Sequence, residues 1–418
     1  MKFSAIIFAT LVILFSTSFA QQDLGGGWKL NGQIQLRTEL DGRDFSNSTH
    51  PLTFASMRTR IGVEKSFEEV VSFLVQFQDS RVFGEEPNTL TPIDNIDLHQ
   101  GYLSLNKLFD WDWQIQAGRF EVAYGTERFF GAVGWHYVGR SFDGVRFSIL
   151  PENWKLDLFG LTVYDSQDYI GNATPLIYPN PSELSRRYSV YGFYKNFHLN
   201  DLNNFDLLGY YEANHQRTAG GAKIADMFTI AASHFGKYGR FKTTFEGAYQ
   251  FGRYIESRDI SAYLISLMLY YQTGLVDLGI GADILSGDAK NSSDEKNSFE
   301  ATFGTNHKFY GYMDYFINIP RNTNFLGLHD FYLTGNYSPE NSKWSFDAHL
   351  HHFMSNKSSA ADQNTFGQEL DLTIRYNLIK GTALSWGGSL FFPDELMKSY
   401  FGNEDVAYWT YLMITANI

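Results

Sequence analysis

Residues 29 to 40 read Lys29-Leu30-Asn31-Gly32-Gln33-Ile34-Gln35-Leu36-Arg37-Thr38-Glu39-Leu40. Leu30, Ile34, Leu36 and Leu40 share one parity. Lys29, Asn31, Gln33, Gln35, Arg37 and Glu39 share the other. Successive side chains of a strand point to opposite faces, so this stretch makes a strand with one greasy and one wet side. Residues 55 to 65 repeat the pattern, with Ala55, Met57, Thr59, Ile61 and Val63 against Ser56, Arg58, Arg60 and Glu64. Further along, Phe241, Thr243, Phe245, Tyr249 and Phe251 alternate with Lys242, Thr244, Glu246 and Gln250. A soluble sandwich and a membrane barrel both alternate in this way, so the period alone leaves the choice open.

The connectors decide it. Strand-like segments recur from 28–40 to 404–417, and counting them predicts 18 strands. Long connectors at 41–53, 80–96, 120–140, 164–185 and 287–327 alternate with short ones at 66–69, 107–110, 151–153, 236–238 and 379–380. Short turns on one side and long loops on the other mark an outer-membrane barrel with its turns in the periplasm. The fold class expected is therefore all-β, a transmembrane antiparallel β-barrel. Trp28, Trp111, Trp154, Trp344 and Trp386 fall near strand ends, where an amphipathic ring sits at headgroup level.

Composition narrows the class further. The 418 residues are 17% aromatic and include 37 Gly, no Cys and a net charge of −13. The mean hydropathy is mildly polar at −0.27, which excludes a bundle of transmembrane helices. Absence of cysteine removes disulfides, thiolate metal sites and cysteine nucleophiles. The charge gives no basic footprint for nucleic acid. No G-x-S-x-G or H-E-x-x-H pattern occurs, so no enzyme is expected.

The first twenty residues read as an address. Met1-Lys2 is a positive start, Ala5 to Phe15 is nearly all apolar, and Ser18-Phe19-Ala20 puts small residues at a cleavage site. A leader cut after Ala20 would leave 21–418 as one outer-membrane domain, with no plug domain ahead of the first strand.

Three passages resemble the alginate-export family of outer-membrane porins. The first is Gln76-Phe77-Gln78-Asp79-Ser80-Arg81, followed by Asp97 to Tyr102. The second runs Gln116-Ala117-Gly118-Arg119-Phe120-Glu121, then Tyr124-Gly125, Arg128, Gly131 and Trp135, and closes with Gly139 to Arg146. The third is Leu285-Ser286-Gly287-Asp288, with Asp294 and Phe299 beyond. The resemblance implies an 18-stranded barrel whose Arg-lined lumen passes an anionic polyuronate outward.

An anionic passenger calls for cations on the polar parity, because a guanidinium fork can pair with a carboxylate through two hydrogen bonds. Arg37, Arg58 and Arg60 lie on the polar faces of the first two strands, and Arg146 lies opposite Val145, Phe147 and Ile149. Arg119, Arg128 and Arg140 lie in or beside the Gly-rich connector 120–140, which is expected to bend inward as a constriction. The alternative is internal scaffolding, with these arginines paired to Asp79, Glu64, Glu121 or Asp143.

The acidic start of 287–327, GDAKNSSDEKNS, offers oxygens for Ca²⁺ but fits no defined calcium loop, so a solvated external loop is the expectation. An extra hairpin there would raise the strand count to 20. His349 and His351 share a face with Asp347, while His352 points the other way; a polar lumen role is expected, with no metal and no cofactor. The expected function is a monomeric, passive outer-membrane channel for an anionic oligo- or polysaccharide, with the membrane lipid and a periplasmic secretion apparatus as partners. A general diffusion porin and a barrel-anchored surface-binding protein are the two rivals.

Overall fold

The computed structural model describes residues 21–86, 95–165, 187–217, 223–255, 258–289 and 294–417. The leader expected at residues 1–20 lies outside them. Among the described residues, eighteen strands form the wall. The first six are β1 (Trp28–Gly42), β2 (Leu52–Phe67), β3 (Val71–Val82), β4 (Ile96–Asn106), β5 (Trp113–Phe120) and β6 (Phe142–Ile149). Next come β7 (Trp154–Asp165), β8 (Arg187–Asn200), β9 (Asn203–Arg217), β10 (Lys223–Tyr238), β11 (Phe241–Tyr254) and β12 (Arg258–Gln272). The last are β13 (Val276–Leu285), β14 (Leu328–Tyr337), β15 (Trp344–Met354), β16 (Thr365–Ile379), β17 (Thr382–Pro393) and β18 (Ala407–Asn417).

Each strand pairs antiparallel with the next, and β1 closes the cylinder on β18, Gln33 opposite Asn417 through Gly42 opposite Tyr408. Closure leaves no edge with unpaired backbone groups, which a lipid environment requires. A short strand, Gln21–Gly25, continues the edge of β1 beyond the end of β18, pairing Gln21 with Asn31. Leu285 of β13 pairs directly with Leu328 of β14, so 286–327 inserts no hairpin into the wall. Within it only Glu295–Lys296 is extended among the described residues, lying parallel to Asp259–Ile260.

The wall is inside out relative to a soluble protein. On β1, Asn31, Gln33, Gln35, Arg37 and Glu39 are buried, while Ile34 is 46% exposed. Ile61, Ile230, Leu267, Ile280 and Leu333 are likewise exposed on the outer face. Polar residues inside and bare aliphatic residues outside are stable only where lipid replaces water. Trp28, Trp111, Trp344 and Trp386 are exposed, as an interfacial belt requires, whereas Tyr210 and Trp409 turn inward and are buried.

The lumen is not empty. Connector 121–141 and, among the described residues, 286–289 and 294–327 of connector 286–327 fold into it, and the two connectors bond to each other. Gly131 N–H donates to the Phe303 carbonyl and Thr305 N–H to the Glu127 carbonyl, both at 2.9 Å. Phe130 stacks on Phe303 with ring centres 5.0 Å apart, and Tyr210 meets Phe130 edge-on. This corrects the expectation of a solvated loop at 287–327: Phe299, Phe303, Tyr310, Met313, Phe316 and Ile319 are all buried. The acidic start disguised an aromatic second half that must leave water. Helix α1 (Glu395–Phe401), capped by Asp394 and ended by Gly402 at φ 71°, packs over the same end, where Phe401 meets the buried Phe45 at 4.8 Å.

Candidate lumen site

Three arginines on the inward parity of β1 and β2 grip the backbone of connector 121–141. Arg37 Nη1 donates to the Trp135 carbonyl at 2.9 Å, and its guanidinium lies 4.3 Å from the Trp135 ring centre. Its Nε pairs with Glu39 at 2.7 Å. Arg58 Nη1 reaches the carbonyls of Gly134 at 3.1 Å and His136 at 2.7 Å. Its remaining donors go to the side-chain oxygens of Gln33 and Gln35. Arg60 donates to the Val138 carbonyl at 3.2 Å and pairs with Glu121 at 3.2 Å. An irregular segment drawn into a barrel brings carbonyls that need donors. A guanidinium supplies five in a fixed fork. Arg58 and Arg60 are each 1% exposed as a result.

Arg128 enters the opposite wall. It pairs with Glu246 at 2.7 Å and Asp283 at 2.9 Å, donates to Ser266 at 2.9 Å, and lies 4.0 Å from the Phe309 ring centre. Burial alone would lower its guanidinium, but the Asp283 and Glu246 charges outweigh burial and hold it above its ordinary value. Arg140 donates to the carbonyls of Phe303 and Gly304 and so ties the two infolded connectors together. Burial pulls Arg140 down to about 10 against the pull of Glu127.

Arg146 faces inward from β6, bonded to the Gln116 side-chain oxygen and 5.2 Å from the Phe120 ring centre. Arg119 does not face the lumen. It shares the outward parity of Ile115 and Ala117 and pairs at 2.8 Å with Asp143, itself 60% exposed by side chain. Six of the seven sequence-predicted arginines are therefore brought to the interior, and Arg119 is left on the outer wall. Of the four acids anticipated as internal partners, Glu121 pairs with Arg60 as expected, Asp143 pairs with Arg119 but on the outer wall, Asp79 bonds Arg81 and Glu64 lies 3.6 Å from Lys29.

Sequence reasoning placed Glu246 on a lumen parity but missed the rest of the acidic wall across from these arginines. Glu212, Glu246, Asp283, Asp330, Glu369 and Asp371 face inward from β9, β11, β13, β14 and β16, all buried. The signal was present: each sits on the polar parity of its strand. Met313 N–H donates to Glu369 at 2.7 Å and Tyr312 N–H approaches Asp371 at 3.4 Å, so two carboxylates hold the tip of connector 286–327. His351 bonds Asp330 at 2.9 Å and His349 bonds the Tyr312 hydroxyl at 3.3 Å, while His352 faces outward. Asp288 accepts from the Ser298 N–H at 2.8 Å and lies 3.4 Å from Arg258. Among the described residues no group of three or more acidic or histidine side chains is arranged to hold a metal ion. Toward the short turns the inward residues, Lys29, Gln114, Lys155, Asp347 and Arg375 among them, are not buried, leaving a vestibule below the infolded connectors.

A closed wall, greasy outside and polar inside, narrowed by its own connectors, makes this protein an outer-membrane β-barrel channel and not an enzyme. The family model described as Alginate export matches residues 29–405, and the chain belongs to that family. The fold is similar to the crystal structure of OccD3 (OpdP) of Pseudomonas aeruginosa, at 12% identity and TM-score 0.62, over 96% of this chain and 93% of that one. OccAB4 of Acinetobacter baumannii is similar at 11% identity and TM-score 0.59, over 96% and 99% of the two chains. OccK3 (OpdO) of Pseudomonas aeruginosa is similar at 13% identity and TM-score 0.59, over 93% and 95%. No curated protein matches the chain.

Proposed function

We propose that this channel passes an anionic oligo- or polysaccharide, alginate-like in its carboxylates, by passive diffusion along the wall formed by β1 to β6. The observation that carries the reading is the partnering of Arg58, Arg140 and Arg146. Among the described residues their guanidiniums meet only neutral oxygens within hydrogen-bonding distance. With Glu121 and Glu127 acting on Arg58 and Arg140 only at longer range, cations without a bonded carboxylate beside a low-dielectric wall keep the local potential positive whatever the net charge of the chain. Arg37, Arg60 and Arg128 have carboxylate partners and act on the passenger through the segments they hold in place. The infolded 121–141 is the constriction. The chain acts as a monomer and reaches the outer membrane by a leader cut after Ala20.

The acidic wall from β9 to β16 favours a second reading, a general porin for small solutes with a mixed lumen. Planar-bilayer recording separates the two. Oligouronates should interrupt the current in discrete blocks at concentrations where neutral oligosaccharides of equal length do not. Equal blocking by both, or by neither, supports the second reading, and a protein that opens no channel supports a surface anchor.

A further inference from the structure

The outer wall carries a groove that transport does not use. From β11 to β16, Phe245, Leu267, Ala282, Phe331, His352 and Gln368 stand opposite one another in turn as cross-strand partners. All six lie on the outward parity. Ala282 is the small member of the row, and exposed Leu267, Ile280, Phe331 and Leu333 rise around it. Together they enclose a groove of about 820 Å³. The row follows the hydrogen bonds rather than the strands. At about 4.8 Å per strand it runs roughly 24 Å from Phe245 to Gln368. Because the strands are tilted, it climbs through the membrane as it goes. Its upper end lies near Thr365 and Met354, where β16 begins and β15 ends on the extracellular side.

That upper end is polar. The Gln368 amide nitrogen donates to His352 Nδ1 at 3.1 Å, which places the imidazole proton on Nε2. Among the described residues no protein acceptor lies at that Nε2. At this level, two residues from the extracellular end of β15, a donor facing the membrane stands where lipid headgroups and acyl linkages present oxygens.

We propose that this groove binds one acylated lipid of the extracellular leaflet. An ester or amide oxygen at the acyl linkage accepts from His352 Nε2, and the chain below it lies in the notch over Ala282. The wall is already the lipid-facing surface and the floor is apolar; His234, opposite Phe245 at the lower end, bonds Asn203 Oδ1 through its Nε2 at 3.1 Å, so among the described residues only the upper end offers a donor with no protein partner. An amphiphile with a single polar junction matches that order.

Native mass spectrometry of the detergent-purified full chain tests this, with lipid A added back after delipidation. The variants are Ala282→Trp, which fills the notch, His352→Leu, which removes the donor without adding bulk, and Val145→Trp on the far outer wall as control. Wild type and Val145→Trp should retain one lipid A. Ala282→Trp and His352→Leu should each bind it about tenfold more weakly. Heat-shifted gel migration confirms that each variant is folded. Equal retention by all four proteins overturns the proposal, as does tighter binding of phosphatidylethanolamine than of lipid A. A dimer that Ala282→Trp dissociates would assign the groove to a second copy and overturn it too.

Discussion

Arg58 holds His136 by its backbone. The guanidinium Nη1 meets the His136 carbonyl oxygen at 2.7 Å across 78 residues of sequence, and the same nitrogen reaches Gly134. A strand arginine expected to face a passenger instead fixes the infolded segment in place. Replacing Arg58 with Ala strands two carbonyls, at about 1–3 kcal/mol each. The expected result is a larger and noisier conductance in single-channel records, with 132–140 opened to proteolysis. A quiet channel of unchanged size would show that Arg58 is not the staple.

Arg128 is the sole cation within salt-bridge distance of both Glu246 and Asp283 among the described residues. Arg128→Met leaves two buried carboxylates without a counter-charge, a loss of roughly 3–5 kcal/mol in unfolding free energy. Adding Glu246→Gln and Asp283→Asn to the same chain should recover most of it. Urea titration of the folded barrel in micelles reads both effects.

Gly311 sits at φ +80°, and a β-carbon there would stand 2.6 Å from the Glu369 carboxylate. The tip Gly311-Tyr312-Met313 can reach Glu369 and Asp371 only with glycine at its head. Gly311→Val should release the tip and raise the mean conductance while the strand signal in circular dichroism stays unchanged.

Arg119 and Arg146 differ by one step of strand parity and should differ in consequence. Arg146→Ala removes a lumen cation and moves the reversal potential toward cation preference. Arg119→Ala, on the outer wall beside Asp143, leaves it where it was. A shift with Arg119→Ala equal to that with Arg146→Ala contradicts the facing assigned to these strands.

Ile230 is 58% exposed at the middle of β10. Ile230→Arg puts a charge into lipid near the bilayer midplane and should destabilise the barrel by about 2–4 kcal/mol in vesicles. The same change on a soluble protein's surface would cost little.

The strands were legible in the sequence because their physics is local. In Lys29 to Leu40 the alternation alone says which side chains face lipid, and the structure turns each of them that way. Arg119 was legible too, since Ile115 and Ala117 share its parity, but it lies one residue from the end of a short strand and was read with the connector. The partners of Arg58 were not legible. They are backbone carbonyls, which carry no residue identity, brought near by a fold of 121–141 that no period announces. Connector 286–327 misled because its first residues are acidic, whereas Phe299 to Phe316 behave as a core segment that happens to sit inside a barrel.

The zero-current potential of the wild-type channel, in a planar bilayer across a potassium chloride gradient, tests the central claim most directly. Arg58, Arg140 and Arg146, none of them bonded to a carboxylate among the described residues, predict the sign of an anion-preferring pore. A cation-preferring sign would mean that the carboxylates of β9 to β16 govern the passage, and would contradict an anionic passenger.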